Sequence, residues 1–439
     1  MLNNIIQKKY QPTYKAIGWL IIQEFIFALC ALVDITCANF VSDDAVIAVT
    51  IATTVGNFAL SLRGVYGSAL RVTTSRYFGA NDNEAAGGVL TSITILSAVM
   101  TIIIAIILLV FGRGLLNLFA LTPQQIELAY DYIKTRVPGY LIFSVTNPMC
   151  RYLEAKGAVS KLTRIRIVNL LNIPFSLILL QFCGVAGIGL ATSLTEAVEL
   201  PVVYFAFRPY YAKPQKKGFK DTVVLGLTYL PESVFNSALN ALSANLCIKY
   251  LSVASAVTVQ LVKGFYGTFE DLVYASTRHV DIAMGQAYET GDAVQVVKTF
   301  NNFKHCYLHI WVSHAVIALV AGVVYFNFIV DVNSVLLAMT LLSAIILAEV
   351  SWSIAEPLSR ICSVYNVIKP VVTTRVICLI LFQIPVQLLT LKLGADVYSI
   401  PICYVAADFP WFVVTYMVSR KLPIWGAQVA ATESVTNAE

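Results

Sequence analysis

Apolar residues fall in long blocks from one end of the chain to the other, as in Val89–Phe111 (VLTSITILSAVMTIIIAIILLVF) and Val335–Ala348. A helix crossing a hydrocarbon core of ~30 Å needs about 20 apolar residues, so blocks of this length read as membrane spans. Twelve are expected. Their cores lie near Ile17–Phe40, Ala45–Leu70, Val89–Phe111, Ala129–Met149, Ile165–Phe182, Val185–Phe207, Val223–Ile248, Ala254–Tyr274, Phe303–Phe326, Val335–Ile354, Val371–Leu391 and Ser399–Tyr416. The second and eighth are weaker, interrupted by Arg63, Gly64 and Gly67 and by Lys263, Gly264 and Gly267.

Composition sharpens this pattern. Of 439 residues, 58% are hydrophobic and only 13% charged, and the mean hydropathy is +0.75. An average soluble protein carries about 25% charged residues. So few charges cannot cover a soluble surface of this size, which excludes a disordered chain, a collagen, a disulfide scaffold and a nucleic-acid binder. The nine cysteines include no CxxC pair and mostly sit inside apolar runs. A thiol there acts as a small hydrophobe, so neither a disulfide nor a metal site is expected. A signal peptide is not expected either, because Leu2–Tyr14 is polar and the apolar run after it is too long.

Charge placement orients the spans. With twelve of them, alternate loops gather 23 of the 30 basic residues on the side of both termini. The opposite loops carry Asp43, Asp44, Asp331 and Asp396 with few cations. Basic loops stay cytoplasmic, so both termini are expected there, in a plasma or inner membrane.

The basic loop Arg208–Asp221 (RPYYAKPQKKGFKD) divides the chain into a lobe over 1–208, a linker over 209–221, a second lobe over 222–420 and a cytoplasmic tail over 421–439. The halves echo one another at an offset of about 210. Asp82 in FGAND pairs with Asp292 in YETGD, Arg164 with Arg375, and Ile173-Pro174 with Ile384-Pro385. The expected fold is an all-α integral membrane protein of twelve transmembrane helices in two pseudo-symmetric six-helix bundles. Repeats of like orientation typify secondary transporters that bind substrate between the lobes.

Several segments resemble the multidrug and toxic compound extrusion (MATE) family. TSRYFGANDNEAA (74–86) is similar to that family's first-lobe loop, and GQAYETGDAV (285–294) to its second-lobe partner, with Glu289 in place of a glycine. RYLEAKGAVSKLTRIRIVNLLN (151–172) with GVAGIGLATSLTEAVEL (184–200) resembles the fourth-to-sixth-helix segment, and ALVDITCANF (31–40) the first-helix motif ending in an acidic residue. The resemblance implies an antiporter driven by H⁺ or Na⁺ that exports amphipathic organic cations.

An ionisable group at membrane depth costs about 3 kcal/mol on insertion scales, so it marks a pathway or a pair. Asp34 lies inside the first span with no basic residue within one turn. A carboxylate in that setting takes up a proton or Na⁺, unless it is simply a helix-end aspartate wetted near Ser42–Asp44. The resemblance places the family's first-lobe cation carboxylate at Asp34, a coordinating asparagine at Asn172 and, if Arg360 sets the register, the second-lobe carboxylate near Glu349. It departs at Ser176, where many members carry an aspartate. Asn172 has the alternative task of satisfying backbone freed by Pro174. Glu349 and Glu356 share one helical stripe, and Glu356 can pair with Arg360 at i, i+4. Glu24, Glu196, Glu199, Glu232 and Asp408 complete the candidates for a substrate cavity. His305 and His309 share a face, but no third metal ligand accompanies them, so a helix end at the interface is the expected reading. GVAGIG (184–189) follows no strand and reads as close helix packing rather than a dinucleotide loop.

The expected function is alternating-access antiport of a small organic substrate against H⁺ or Na⁺, with no organic cofactor, in a monomer embedded in the lipid bilayer. The alternative on the same core is a flippase for lipid-linked oligosaccharide or an exporter of another metabolite. Those proteins favour cationic cavities, whereas the charges inside the spans here are mainly acidic. No metal triad, nucleophile elbow or phosphate loop points to an enzyme.

Overall fold

The computed structural model describes residues 2–214, 216–289 and 291–425. Among these residues helices are joined by short turns, with no strand. The long ones, with bent helices counted once, are α1 (Leu2–Asn39), α2 (Asp43–Gly79), α3 (Asn83–Leu116), α4 (Pro123–Ala155), α5 (Val159–Cys183), α6 (Val185–Phe207), α7 (Lys216–Tyr250), α8 (Val253–His279), α9 (Ala293–Phe328), α10 (Val335–Val364), α11 (Lys369–Lys392) and α12 (Ser399–Ser419), and a π turn and a short helix over Gly285–Glu289 continue α8. By length and composition, nine segments of the described residues can cross a membrane. The others, α4, α7 and α8, have 33, 35 and 27 residues, enough at 1.5 Å per residue but more polar. Neighbours enclose them: α4 packs against α2, α3 and α6, while α7 lies along α2 and α8 along α1. A helix surrounded by protein needs little lipid-facing apolar surface.

Departures from regular helix have local causes. Proline lacks an amide hydrogen and clashes with the carbonyl four residues back. A 3₁₀ turn over Ile167–Leu171 accommodates Pro174 in α5, and a π turn over Leu379–Gln383 precedes Pro385 in α11. α10 breaks at Glu349, where φ is −80° and ψ is 1°. α1 starts earlier than its apolar core, and just before that core Tyr10 and Tyr14 dock on α9. Tyr10 stacks on His305 at 4.2 Å, and the Tyr14 hydroxyl lies 2.6 Å from His309 Nδ1.

Repeat mates occupy equivalent places. Asp82 caps α3 by accepting from the Ala85 amide at 2.9 Å, and Asp292 caps α9 by accepting from Val294 and Gln295 at 2.9 and 3.1 Å. In the first half Arg166 of α5 pairs with Glu199 of α6 at 3.1 Å, and in the second Arg375 of α11 pairs with Asp408 of α12. Each pair spans 33 residues. The mate of Arg375 is therefore Arg166 and not Arg164, which is exposed. The offset here is 209 residues, because the buried guanidinium, not the surface one, is the element repeated.

Where α2 meets the turns after α8, mates touch each other. Arg71 donates to Asp281 at 2.7 Å across an offset of 210. One turn on, a Cβ added to Gly285 would lie 2.6 Å from Ser75 Oγ, and another turn on, a Cβ on Gly79 would lie 3.1 Å from the Glu289 Cβ. Positions related by a twofold can touch only beside the axis, so this stripe marks the pseudo-twofold at the end of the bundle that carries the termini and most of the cations. At that end there are two separate apolar cores, one built mainly from the second half with Ile17 of α1, the other mainly from the first half with Val223 and Leu230 of α7 packed against it. At the opposite end one core runs through both halves, from Val46 and Ile51 to Leu261 and Leu341.

Two outcomes follow. Gly285→Ala should cost about 1–3 kcal/mol by forcing the axis apart, with much of it restored by adding Ser75→Gly, as read by thermal unfolding in detergent. Arg166→Ala should cost about 3–5 kcal/mol by stranding Glu199, while an Arg166→Leu/Glu199→Leu double variant should recover most of that loss. Equal melting temperatures for the single and double variants would contradict a structural pair.

Candidate transport cavity and its charged surroundings

A cavity of about 620 Å³ opens between the halves. The first half contributes Phe27, Asn57, Ser68, Phe143, Asn147 and Arg151, and the second half forms most of the wall from α7, α8, α10, α11 and α12. Aromatic Tyr229, Tyr274, Trp352 and Tyr404 alternate there with Asn236, Asn240 and Gln383.

The charges in this wall divide into paired and unpaired groups. Arg151 bonds Glu154 at 2.9 Å, Arg360 bonds Glu356 at 2.5 Å, and Arg375 bonds Asp408. Glu232, Glu270, Asp271 and Glu349 also line the cavity, and none has an ion-pair partner among the described residues. Glu232 follows Pro231 on α7, Glu270 and Asp271 are adjacent on α8, and Glu349 stands at the break in α10. With every wall guanidinium already matched to a carboxylate, these four acids set the sign of the field inside whenever they are ionised.

Asp34 belongs to a second, closed site within the first half. It is 6% exposed, so it is not a wetted helix end. The Tyr132 hydroxyl donates to its Oδ2 at 2.7 Å, and Thr192 Oγ1 lies 3.2 and 3.3 Å from its two oxygens. Asn172 Nδ2 donates to Thr192 at 2.9 Å, while Asn172 Oδ1 and Ser176 Oγ are buried with no hydrogen-bond partner among the described residues. No lysine or arginine among the described residues forms an ion pair with Asp34. Close packing assembles this group: a Cβ on Gly189 would lie 2.5 Å from Thr135 Oγ1 and 2.7 Å from the Tyr132 carbonyl. α6 thus reaches α4 through the small residues of GVAGIG. Oxygen donors around an unpaired carboxylate suit a proton or a small hard cation.

A third group of charges clasps the basic end of the bundle. Glu24 of α1 accepts from Arg278 at 2.5 Å, and Arg278 reaches Glu154 at 3.5 Å. Glu154 also accepts from Gln23 at 2.9 Å and from Arg71 at 3.4 Å. Arg71 continues to Asp281, and Asp281 to Arg360 at 3.4 Å. The chain of pairs crosses between the halves three times, through Glu24–Arg278, Glu154–Arg278 and Arg71–Asp281. Arg76 adds bonds to the Val364 carbonyl and to Asn366 Oδ1, both at 3.0 Å, and Gln286 donates to the Ala155 carbonyl at 2.9 Å. The opposite end is held by neutral bonds: Thr36 to Tyr325 at 2.9 Å, the Asp331 amide to Asn39 at 2.9 Å and the Ala120 amide to Asn245 at 2.7 Å.

Several sequence expectations change place. Glu232, Glu356 and Asp408 line the cavity, as does Glu349, but Glu356 and Asp408 are bound to arginine. Glu24, Glu196 and Glu199 are not cavity residues: Glu24 serves the clasp, Glu199 holds Arg166, and Glu196 is buried on α6 between Thr192 and Glu199. α1 and α6 turn Glu24 and Glu199 toward arginines within the protein rather than toward this cavity. Glu270, Asp271, Tyr132 and Thr192 were not singled out from sequence, since adjacent acids in a weak span and lone hydroxyls carry no motif. The recurring spacing of 33 residues between arginine and carboxylate was the available signal for the helix-locking pairs. The described residues hold no group of three metal-ligating side chains, the histidines included.

A family profile described as MatE matches residues 20–178. No curated protein matches the sequence. Among solved structures, a eukaryotic MATE transporter superposes with a TM-score of 0.83 at 12% identity, over 97% of this chain and all of that one. An outward-facing conformation of a multidrug resistance MATE family transporter of the MOP superfamily gives 0.79 at 16% identity, covering 95% of this chain and 97% of that one. An inward-facing conformation of such a transporter gives 0.71 at 16% identity, covering 92% and 95%. Residues 20–178 thus match MatE, and almost the whole chain has the fold of the MATE transporters of the MOP superfamily.

Proposed function

We propose that the chain is an alternating-access antiporter of the plasma or inner membrane that exports amphipathic organic cations in exchange for H⁺ or Na⁺. In this reading α4, α7 and α8 are spans enclosed by their neighbours, the lobes are 1–208 and 222–420, and both termini are cytoplasmic. The last residues of the tail over 421–439 fall outside the described part of the chain. The observation that carries the reading is the cavity wall, where Glu232, Glu270, Asp271 and Glu349 have no ion-pair partner among the described residues while each guanidinium does. Such a wall attracts a cation, and the aromatic rings around it supply flat apolar faces and cation–π contact. The solved structures with this fold include both inward- and outward-facing arrangements, which supports exchange between two states. The clasp at the basic end serves as the cytoplasmic gate.

Coupling runs through Asp34 and Glu349. Cation binding at either carboxylate biases the balance between the two lobe arrangements, and by no more than its differential affinity for them. Substrate competes for the cavity acids, and release of the proton or Na⁺ inward resets the carrier. A flippase for an anionic lipid-linked oligosaccharide requires cavity cations free to bind phosphate, whereas Arg151, Arg360 and Arg375 are each committed to a carboxylate.

Dye efflux in inverted vesicles, with ΔpH and Na⁺ gradients imposed separately, tests this directly. One gradient should drive efflux of a cationic dye, and Asp34→Asn should fold normally yet reduce that efflux to background. Efflux independent of both gradients would refute antiport, and unchanged efflux by the variant would remove Asp34 from the coupling.

A further inference from the structure

At the basic end, outside both sites above, the turn between α4 and α5 meets the segment after α6. Tyr210 is held edge to ring by Phe207 and packs beside Tyr152, with centroids 6.1 and 5.7 Å away. Over its ring sit two ammonium groups, Lys156 Nζ at 4.3 Å and Lys161 Nζ at 5.6 Å from the centroid. The two like charges are therefore at most about 10 Å apart, close to one Debye length at physiological salt. Both lysines are exposed, as are the nearby Arg164 and Arg208, and no carboxylate among the described residues forms an ion pair with any of the four.

Two further observations give this corner a direction. Exposed apolar side chains stand six residues on from Lys161 along α5 and five before Tyr210 on α6: Ile167 is 53% exposed and Phe205 71%. The second half also provides an internal control. At the offset of 209 that aligns Arg166 with Arg375, the mates of Lys156, Lys161 and Arg164 are Tyr365, Pro370 and Thr373, all uncharged. The second half has its own cations at that end, Lys369, Arg420 and Lys421, but these matched positions do not repeat the lysine pair.

We propose that this corner binds the headgroup of an anionic phospholipid, with the phosphate between Lys156 and Lys161 against Tyr210 and the acyl chains along Ile167 and Phe205. A shared anion offsets the repulsion between the two ammoniums, and juxtamembrane cations gain from anionic lipid with a range of about a Debye length. The rest of the site is already rigid, because the aromatic packing fixes Tyr210.

Titration calorimetry on the full chain in neutral detergent tests this with dihexanoyl phosphatidylglycerol, dihexanoyl phosphatidylcholine and inorganic phosphate. Phosphatidylglycerol should bind in a salt-sensitive way. Lys156→Gln/Lys161→Gln should weaken it about thirtyfold, whereas Lys156→Arg/Lys161→Arg and the distant Lys298→Gln should leave it within about twofold of the parent. Equal binding of phosphatidylglycerol by parent and glutamine variant would overturn the proposal. So would equal binding of phosphatidylcholine, or inorganic phosphate binding as tightly as the lipid, which would make this a soluble-anion site.

Discussion

A charged side chain inside a bilayer must find a partner, a water-lined space or a proton, and this constraint sorts the acids and bases of the chain into distinct roles. Arg71, Arg151, Arg166, Arg278, Arg360 and Arg375 each meet a carboxylate. Those pairs lock α5 to α6, α11 to α12 and one half to the other. An isolated guanidinium in hydrocarbon is costly, so each of these six arginines fixes the task of the acid beside it, while Arg136 of α4, which forms no ion pair among the described residues, lies over the Tyr140 ring. The carboxylates left over, Asp34 in the first half and four in the cavity wall, are the ones with capacity to hold something that comes and goes.

The two ends of the bundle are held by different physics. At the basic end the halves meet through ion pairs, whose mutual attraction is largely offset by the cost of removing both partners from water. Separating them into a wetted cleft therefore returns most of what is lost. At the other end the halves share an apolar core, and exposing it to water costs roughly 25 cal/mol for each Å² uncovered. Neutral bonds such as Asn39–Asp331 add little resistance of their own. The charged end is thus suited to closing and reopening against solution.

Much of this was legible in the chain itself. Apolar blocks located the helices, and the repeat at an offset near 210 located the symmetry, with Asp82 and Asp292 both proving to be helix caps. The isolated position of Asp34 among apolar neighbours marked it before any contact was known. What escaped was pairing. Sequence gives the depth of Glu24 or Glu199 but not the direction in which the helix turns it, and both turn toward arginines on other helices. Arg164 and Arg166 are separated by one residue, yet only the second faces inward, a difference smaller than the register error of any repeat alignment. The tyrosine and threonine around Asp34 come from α4 and α6, so only the fold brings them together.

The contact between Arg71 and Asp281 has a bearing on ancestry. Were the halves descended from one bundle that worked as a homodimer, this position would have faced its own copy, setting arginine against arginine or aspartate against aspartate in a buried spot. Like charges in contact there would repel, and each mate instead has its opposite across the axis as well as a partner in its own half, Glu154 for Arg71 and Arg360 for Asp281. With one mate basic and the other acidic, each half is matched at this spot to the other half rather than to a copy of itself.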